Sequence, residues 1–405
     1  MTPAFTAPRL QLLISVLVLV LCTGLAGVAC FGEAEVEDSD QQAIEGLPPE
    51  FAKLAEVWEI LEREHIDAGD LDPSALTDGA IRGMLEATGD EHASYLDPEQ
   101  YSFQREEIQG TFEGIGAEVT VRNGLITIVA PIPDTPADEA GVKPGDVILS
   151  VDGQDVSGWD LFEVINLIRG EKGTIVTLEV RRDRTGETEA LEIVRGVIQL
   201  ESVQLTMLVG RIGHLRITSF SGTTLEELQR ALERFERSKG LGLVVDIRNN
   251  PGGLLSSVVD VTSQFIDEGL VLYQLDGQRN RRDWNAEPGG MALEVKMVVL
   301  MNGFSASASE VFAGAITHHQ RASTIGVRTF GKGSVNNLWP LRDGSAVNFT
   351  IGRWYTPDGK LIEGEGIAPD ILLEAAEDDS EDLQLDFAIQ EITRLIETTA
   401  ASGTN

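Results

Sequence analysis

Four textures of apolar and polar residues follow one another along this chain. Residues 10–29, LQLLISVLVLVLCTGLAGVA, are apolar almost throughout, and an acidic stretch ending in LPPE follows over residues 32–50. From Phe51 the run FAKLAEVWEILEREHI repeats Leu54, Val57, Trp58 and Leu61 at helical spacing. PSALTDGAIRGMLEAT, opened by Pro73, predicts a second helix. Past residue 111 the period shortens to two. Ile126, Ile128 and Ala130 alternate with their neighbours, as does Thr174–Val180, so short half-buried strands are expected. Between them Leu161, Val164, Ile165 and Ile168 mark one amphipathic helix, with Ser157-x-x-Asp160 as its candidate cap. Beyond residue 199 the strands become continuously apolar: GLGLVVDI, VKMVVLM and the shorter ASTIGV. Helix-like runs follow the first two. This β-turn-α succession predicts an α/β core whose sites lie where strands end.

Composition narrows the classes of function. The 405 residues carry a formal net charge of −35, which excludes binding that works by displacing counterions from nucleic acid. It also turns any membrane attachment toward hydrophobic contact. Arg9 precedes the apolar segment 10–29, the order of a secretory signal or signal anchor, so the body of the protein is expected outside the cytoplasm. The only two cysteines are Cys22 and Cys30. Gly27-Val28-Ala29 before Cys30 also fits a lipoprotein box, which makes Cys30 a candidate for lipidation. No cysteine is left for a disulfide or metal site in the folded body, and the five histidines lack ligand-like grouping, so no metal and no cofactor is expected.

Candidate chemistry gathers in NGFSASASEVFAGA, residues 302–315. Ser305, Ser307 and Ser309 open an apolar helix, and Ser307-x-x-Glu310 spells a capping box. A helix N-terminus also stabilises an oxyanion, so cap and nucleophile compete for one position. A hydroxyl nucleophile needs a base. His318 and His319 lie about 16 Å further along a continuous helix, out of reach. No other histidine is obviously placed, which points to a lysine. Lys332, between Gly331 and Gly333, is the candidate; Phe330 and Val335 are the apolar neighbours expected to favour its neutral amine. The competing reading is a surface lysine in a glycine turn. Gly326-x-x-x-x-Gly331-Lys332-Gly333 nearly spells a phosphate loop, but Gly333 replaces the metal-binding hydroxyl and SVNNLWPLRDG does not continue as a helix.

Two resemblances unite these pieces. Gly114-Ile115-Gly116-Ala117, TPADEAGVKPGDVILSVDGQDV and the helix ending in Ile168-Arg169-Gly170 resemble a circularly permuted PDZ domain. In such a domain consecutive backbone N–H groups hold a C-terminal carboxylate and a strand edge pairs with the peptide. Together with GMLEATGDEHASYL, VVDIRNNPGG, NGFSASASE, TFGKGSV and WYTPDGKLIEGEGIAPDI, the chain resembles the tail-specific, or carboxyl-terminal processing, serine peptidases over residues 50–372. That resemblance implies a multidomain α+β fold: a helical N-terminal region, a permuted PDZ domain and a crotonase/ClpP-like α/β protease core. The implied boundaries are 1–31 signal or anchor, 32–50 linker, 51–111 helical domain, 112–198 PDZ, 199–374 core and 375–405 acidic tail with a helix.

The resemblance further implies that Ser307 is the nucleophile and Lys332 the general base. Backbone N–H groups of Ala308 and of Gly252-Gly253 would form the oxyanion hole, and Asn336 stands where the family's glutamine orients the lysine. Gly114, Ile115, Gly116 and Ala117 would bind the peptide, and Arg169 matches an arginine coupling the PDZ domain to the core. His318 stands where some members carry an aspartate. The implied partners are proteins with free apolar C-termini, the membrane through the N-terminal segment, and a second copy through the helical ends, with no nucleic acid. A catalytically silent PDZ adaptor, motivated by Asn336, and a crotonase-like acyl-transfer enzyme are the rival readings.

Overall fold

The computed structural model describes residues 47–375 and 382–402, apart from Asn123 and Arg184. The apolar N-terminal segment, Cys30, most of the acidic linker and part of the acidic tail lie outside these residues. Among the described residues no helix is long and apolar enough to cross a membrane. The chain divides into two compact units, residues 1–73 and 74–405, so the division falls inside the stretch 51–111.

In the first unit the expected helix is present as α1 (Ala52–Glu64), and none of its residues is buried. Leu54, Val57 and Ile60 stay exposed along it.

The division falls at the first residue of α2 (Pro73–Glu86); the rest of that helix opens the second unit, followed by β1 (Ser94–Leu96) and α3 (Pro98–Gln109). After β2 (Thr111–Gly114) comes the alternating region: β3 (Ala117–Arg122), β4 (Leu125–Pro131), α4 (Pro136–Glu139), β5 (Val147–Val151), β6 (Gln154–Asp155), α5 (Leu161–Ile168), β7 (Ile175–Arg181) and β8 (Thr188–Val194). Its strands form one sheet in the order β3-β4-β5-β7-β8, with β6 on β5, while β9 (Gly196–Gln199) returns to pair with β2. Ile126, Ile128, Val151, Val164, Ile168, Val176, Leu178 and Val180 bury their side chains in a core of its own. The cap of α5 differs from expectation. The helix starts at Leu161, so Asp160 holds the cap position and Glu163 accepts its N–H at 3.2 Å. Ser157 instead donates its N–H to Asp155.

The remaining core is a six-stranded sheet of β10 (Val203–Leu208), β11 (Ile212–Ile217), β12 (Gly242–Asp246), β15 (Lys296–Met301), β16 (Ser323–Gly326) and β19 (Ile371–Leu372) in that order. From β11 to β19 every pairing is parallel. The continuous apolar runs follow from burial on both faces. Leu243, Val245, Val299 and Met301 face α6 (Thr224–Arg237), α7 (Leu255–Ser263) and α8 (Ala308–His318). Val244, Val298 and Leu300 face Ala388 and Ile392 of α9 (Leu383–Ser402). A second, antiparallel sheet joins β1, β13 (Leu270–Asp276), β14 (Arg281–Asn285), β17 (Ser334–Pro340) and β18 (Ala346–Tyr355). That sheet was not expected.

Candidate active site

Three adjacent parallel strands deliver the candidate residues to one end of the core sheet. β12 runs into the Asn249–Gly253 turn, β15 into residues 302–307, and β16 into the loop that carries Lys332. They therefore converge beyond the carboxyl ends of parallel strands, where open α/β sheets bind their ligands.

The three serines separate by their bonds. Ser305 donates its hydroxyl to the Ile247 carbonyl at 2.8 Å, and Ser309 donates to the Asn250 carbonyl at 2.9 Å. Both tie the start of α8 to the turn after β12, helped by Asn249 and Asn302, which bond reciprocally. Ser307 is set apart by its backbone, φ 56° and ψ −115°, at the N-cap of α8. A non-glycine residue there is strained by roughly 1–3 kcal/mol and persists only where its surroundings fix it.

What fixes it is Glu310, which is fully buried. One oxygen, Oε2, accepts the N–H of Ser307 and the N–H of Lys332, both at 2.8 Å. The two amide nitrogens therefore lie no farther apart than twice that distance. The other oxygen accepts the Thr329 hydroxyl and the Gly331 N–H, both at 2.6 Å. Burial pushes this carboxyl above its usual range, opposed by those four donors. The capping-box glutamate thus clasps the lysine loop as well as its own helix. Spacing alone revealed only the helix half.

Gly252 and Gly253 are glycines for steric reasons. Gly252 has φ 109°, and a Cβ there would sit 2.8 Å from Ser307 Cβ and 3.0 Å from the Ala308 nitrogen. A Cβ on Gly253 would meet the Phe220 carbonyl oxygen at 2.2 Å. The N–H of Gly252 is already donated to Asn250 Oδ1 at 2.8 Å. Asn250, itself fully buried, anchors to the Ile217 carbonyl. Among the described residues the N–H groups of Gly253 and Ala308 have no hydrogen-bond acceptor.

Lys332 is half-buried, and of its expected neighbours Val335 is buried while Phe330 is 63% exposed. The residue after it, Gly333, gives its N–H to Glu363, whose other oxygen lies 3.7 Å from His92 Nε2. Residue 332 leads into the strand β17 and not a helix, as the rejection of a phosphate loop anticipated. Asn336 directs its amide N–H to the His92 carbonyl at 3.4 Å, and no hydrogen bond joins it to Lys332 among the described residues. His92 belongs to the stretch 51–111 expected to be helical, and the pairing of β1 with β18 brings it to this site. No local signal in the sequence could have placed it.

Gly114 ends β2 and Ala117 begins β3, with Ile115 and Gly116 as the turn between them. The Ile115 carbonyl accepts the Ala137 N–H, and the Gly116 carbonyl accepts from Ile132 and from the Thr135 hydroxyl. Gly116 has φ 79° and room for no side chain, since a Cβ would meet Thr135 at 2.5 Å. Arg169 follows α5 and lies next to Gly114. Its guanidinium covers the rings of Phe103 and Phe112 at 4.0 and 4.5 Å and pairs with Glu106 of α3 at 2.9 Å. Burial pushes the Glu106 carboxyl up, against the pull of Arg169. His214 and Arg248 hold Asp246, and Arg248 reaches on to Asp382 at the start of α9. Burial disfavours the Asp246 carboxylate, but these partners prevail and its pKa falls to about 2. Among the described residues no group of histidine, cysteine, aspartate and glutamate is arranged to hold a metal ion.

Comparison with known proteins agrees with this architecture. The family model for Peptidase family S41 matches residues 211–373, that for a PDZ domain residues 127–182, and that for the activating protease CtpB N-terminal domain residues 27–100. The carboxy-terminal-processing protease of Bartonella bacilliformis is 38% identical over 330 residues, covering 80% of this chain and 75% of that one. The carboxy-terminal processing protease CtpA of Bacillus subtilis is 38% identical over 324 residues, covering 80% and 69%. Among solved structures, the photosystem II D1 C-terminal processing protease is 30% identical with a TM-score of 0.48, covering 81% of this chain and 94% of that one. With its PDZ domain and helical N-terminal region, the chain belongs to the carboxy-terminal processing proteases of Peptidase family S41 and is a serine peptidase.

Proposed function

We propose that this peptidase cuts protein substrates with a Ser307–Lys332 dyad after its PDZ domain captures their apolar C-terminal tails. The single observation that carries the dyad is the shared oxygen of Glu310, which binds the backbone of both residues. The neutral Lys332 amine takes the Ser307 proton as Oγ attacks the scissile carbonyl carbon. The resulting ammonium then protonates the leaving amine, and water releases the acyl group from Ser307. Gly253 and Ala308, whose N–H groups are uncommitted, suit the developing oxyanion; Gly252 contributes the space that lets them approach Ser307.

At the PDZ turn the inward bonds of the Ile115 and Gly116 carbonyls support N–H groups turned to the groove, where a carboxylate would lie. Arg169 sits beside this turn and bonds to α3 outside the PDZ sheet, which suits a coupling role. The basic-then-apolar N-terminus supports work outside the cytoplasm, with attachment by an anchor or a lipid on Cys30. The uncovered apolar residues of α1 suit a second copy of the chain.

The test incubates the full chain with an unfolded protein ending in an apolar tail, beside the same protein with an acidic tail. Cleavage should favour the apolar tail and vanish in Ser307→Ala and Lys332→Ala. Equal cleavage by either variant refutes the dyad; equal cleavage of both tails refutes tail capture.

A further inference from the structure

The strand after Lys332 carries two buried polar atoms with no hydrogen-bond partner among the described residues, Ser334 Oγ and Asn336 Oδ1. Ser334 is only 2% exposed. Val335 packs into the main core, so the alternation of a strand turns Ser334 and Asn336 to the opposite face. The irregular step in the β17–β18 ladder does not disturb this alternation. Val335 faces Gly352 and Asn336 faces Thr350, so the extra residue is Ile351 on β18. Pairing also runs one residue further back, where Trp354 donates its N–H to Gly333 at 2.7 Å. Continued back to Lys332, which precedes β17, the same period would place it on the face of Ser334.

Donors and acceptors on this face do not match as they stand. A lysine amine brings N–H donors and, when charged, no acceptor. Among the described residues the Lys332 amine has no hydrogen bond, while two residues away a buried hydroxyl oxygen has none either. Asn336, shorter by a methylene than the glutamine expected to orient the lysine, gives its amide N–H to His92.

We propose that Ser334 is a positioning residue for the reaction: its hydroxyl accepts an N–H bond from the Lys332 amine and holds the amine's lone pair toward Ser307. This rests on the Ser307–Lys332 reading. The bond persists when the amine takes the Ser307 proton, because the ammonium keeps the same N–H on Ser334. No group is transferred to Ser334 at any step. Its hydroxyl replaces the support that Asn336 directs elsewhere, so a longer side chain at 336 should make it dispensable.

The experiment uses the full chain and two readouts: the rate at which a small fluorophosphonate labels Ser307, and turnover of an unfolded protein with an apolar tail. The variants are Ser334→Ala, Ser334→Thr, Asn336→Gln, the double Ser334→Ala/Asn336→Gln, and Lys332→Ala, each with its Tm. Ser334→Ala should lower kcat and the labelling rate on the order of tenfold, the worth of one hydrogen bond to a charged group, with KM unchanged. Its Tm should hold, since among the described residues the hydroxyl bonds to no other group. Threonine, which keeps the hydroxyl, should restore the rate, and so should glutamine at 336 in the double variant. Wild-type kcat and labelling in Ser334→Ala overturn the proposal, as does a loss confined to KM or one that follows a lowered Tm. A wild type that does not label, or a Lys332→Ala that reacts like wild type, overturns the dyad itself and Ser334's part with it.

Discussion

Replacing Glu310 by glutamine tests whether one buried carboxylate holds nucleophile and base together. The carboxylate accepts four hydrogen bonds, two on each oxygen. A glutamine offers one carbonyl oxygen and one NH2 group, so in either orientation a pair of donors meets a donor. With the NH2 toward Ser307 and Lys332, both backbone N–H groups lose their acceptor. At about 1–3 kcal/mol for each buried unsatisfied donor, the cost is about 2–6 kcal/mol. With the NH2 toward Thr329, that hydroxyl already accepts the Ile367 N–H at 2.7 Å. Gly331 is then orphaned with little relief, and the cost is about 1–3 kcal/mol on the same scale. The smaller figure is the one expected, because the side chain takes the cheaper orientation. It corresponds to a Tm drop of several degrees for a unit of this size. The loop carrying Lys332 is then free to shift relative to Ser307, and a displacement of about 1 Å costs roughly a hundredfold in rate. Thermal melting and fluorophosphonate labelling of Ser307 measure the two consequences separately. A Glu310→Gln protein with wild-type Tm and a labelling rate within about twofold of wild type would show that the clasp holds nothing the reaction needs.

Three further outcomes follow from the same geometry. Gly252→Ala places a methyl group 2.8 Å from Ser307 Cβ and 3.0 Å from the Ala308 nitrogen at φ 109°; kcat should fall about a hundredfold or more, the scale of a lost oxyanion donor, and a fully active variant in a cleavage assay would refute the close approach. Gly116→Ala drives a methyl group into Thr135; affinity for an apolar peptide with a free carboxylate should drop at least about tenfold by calorimetry while Ser307 still labels, and unchanged affinity would remove this turn from peptide capture. Asp246 has a folded pKa of about 2 against an ordinary 3.8, so its stabilisation is complete above the ordinary value and is lost as the pH falls through about 2. At 1.36 kcal/mol per pKa unit this amounts to about 2 kcal/mol. Asp246→Asn should therefore flatten acid unfolding across that interval; an unaltered acid limb would refute the assignment.

How much of this was legible in sequence depended on whether the relevant contact was local. The strands at 242–246 and 296–301 are buried on both faces, so their apolar runs announce them, and the serines and Lys332 stand where such strands end. β17 and β18 carry Asn336, Asn337, Asn348, Thr350 and Arg353 among their apolar positions, and pairing rather than composition makes them strands. That is why the antiparallel sheet went unread, and with it the approach of His92 to Asn336 across 244 residues of sequence. The glycine pair at 252–253 was visible, but its division was not. The Asn250 side chain takes the first N–H in a turn only two residues long, a local bond that Asn-Asn-Pro-Gly-Gly permits without requiring. Glu310 is the instructive case. Its place three residues after Ser307 reads as a helix cap and is one. The bonds to Gly331 and Lys332, however, arise only because α8 begins at the end of β15 while the next parallel strand, β16, ends beside it. The same residue is therefore a local signal for the helix and a long-range link to the base. A capping box in an α/β core thus carries more than its helix whenever the neighbouring strand ends level with it. Burial distinguishes the two cases: a cap that only finishes a helix keeps its carboxylate in water, whereas this one is fully buried and accepts four bonds.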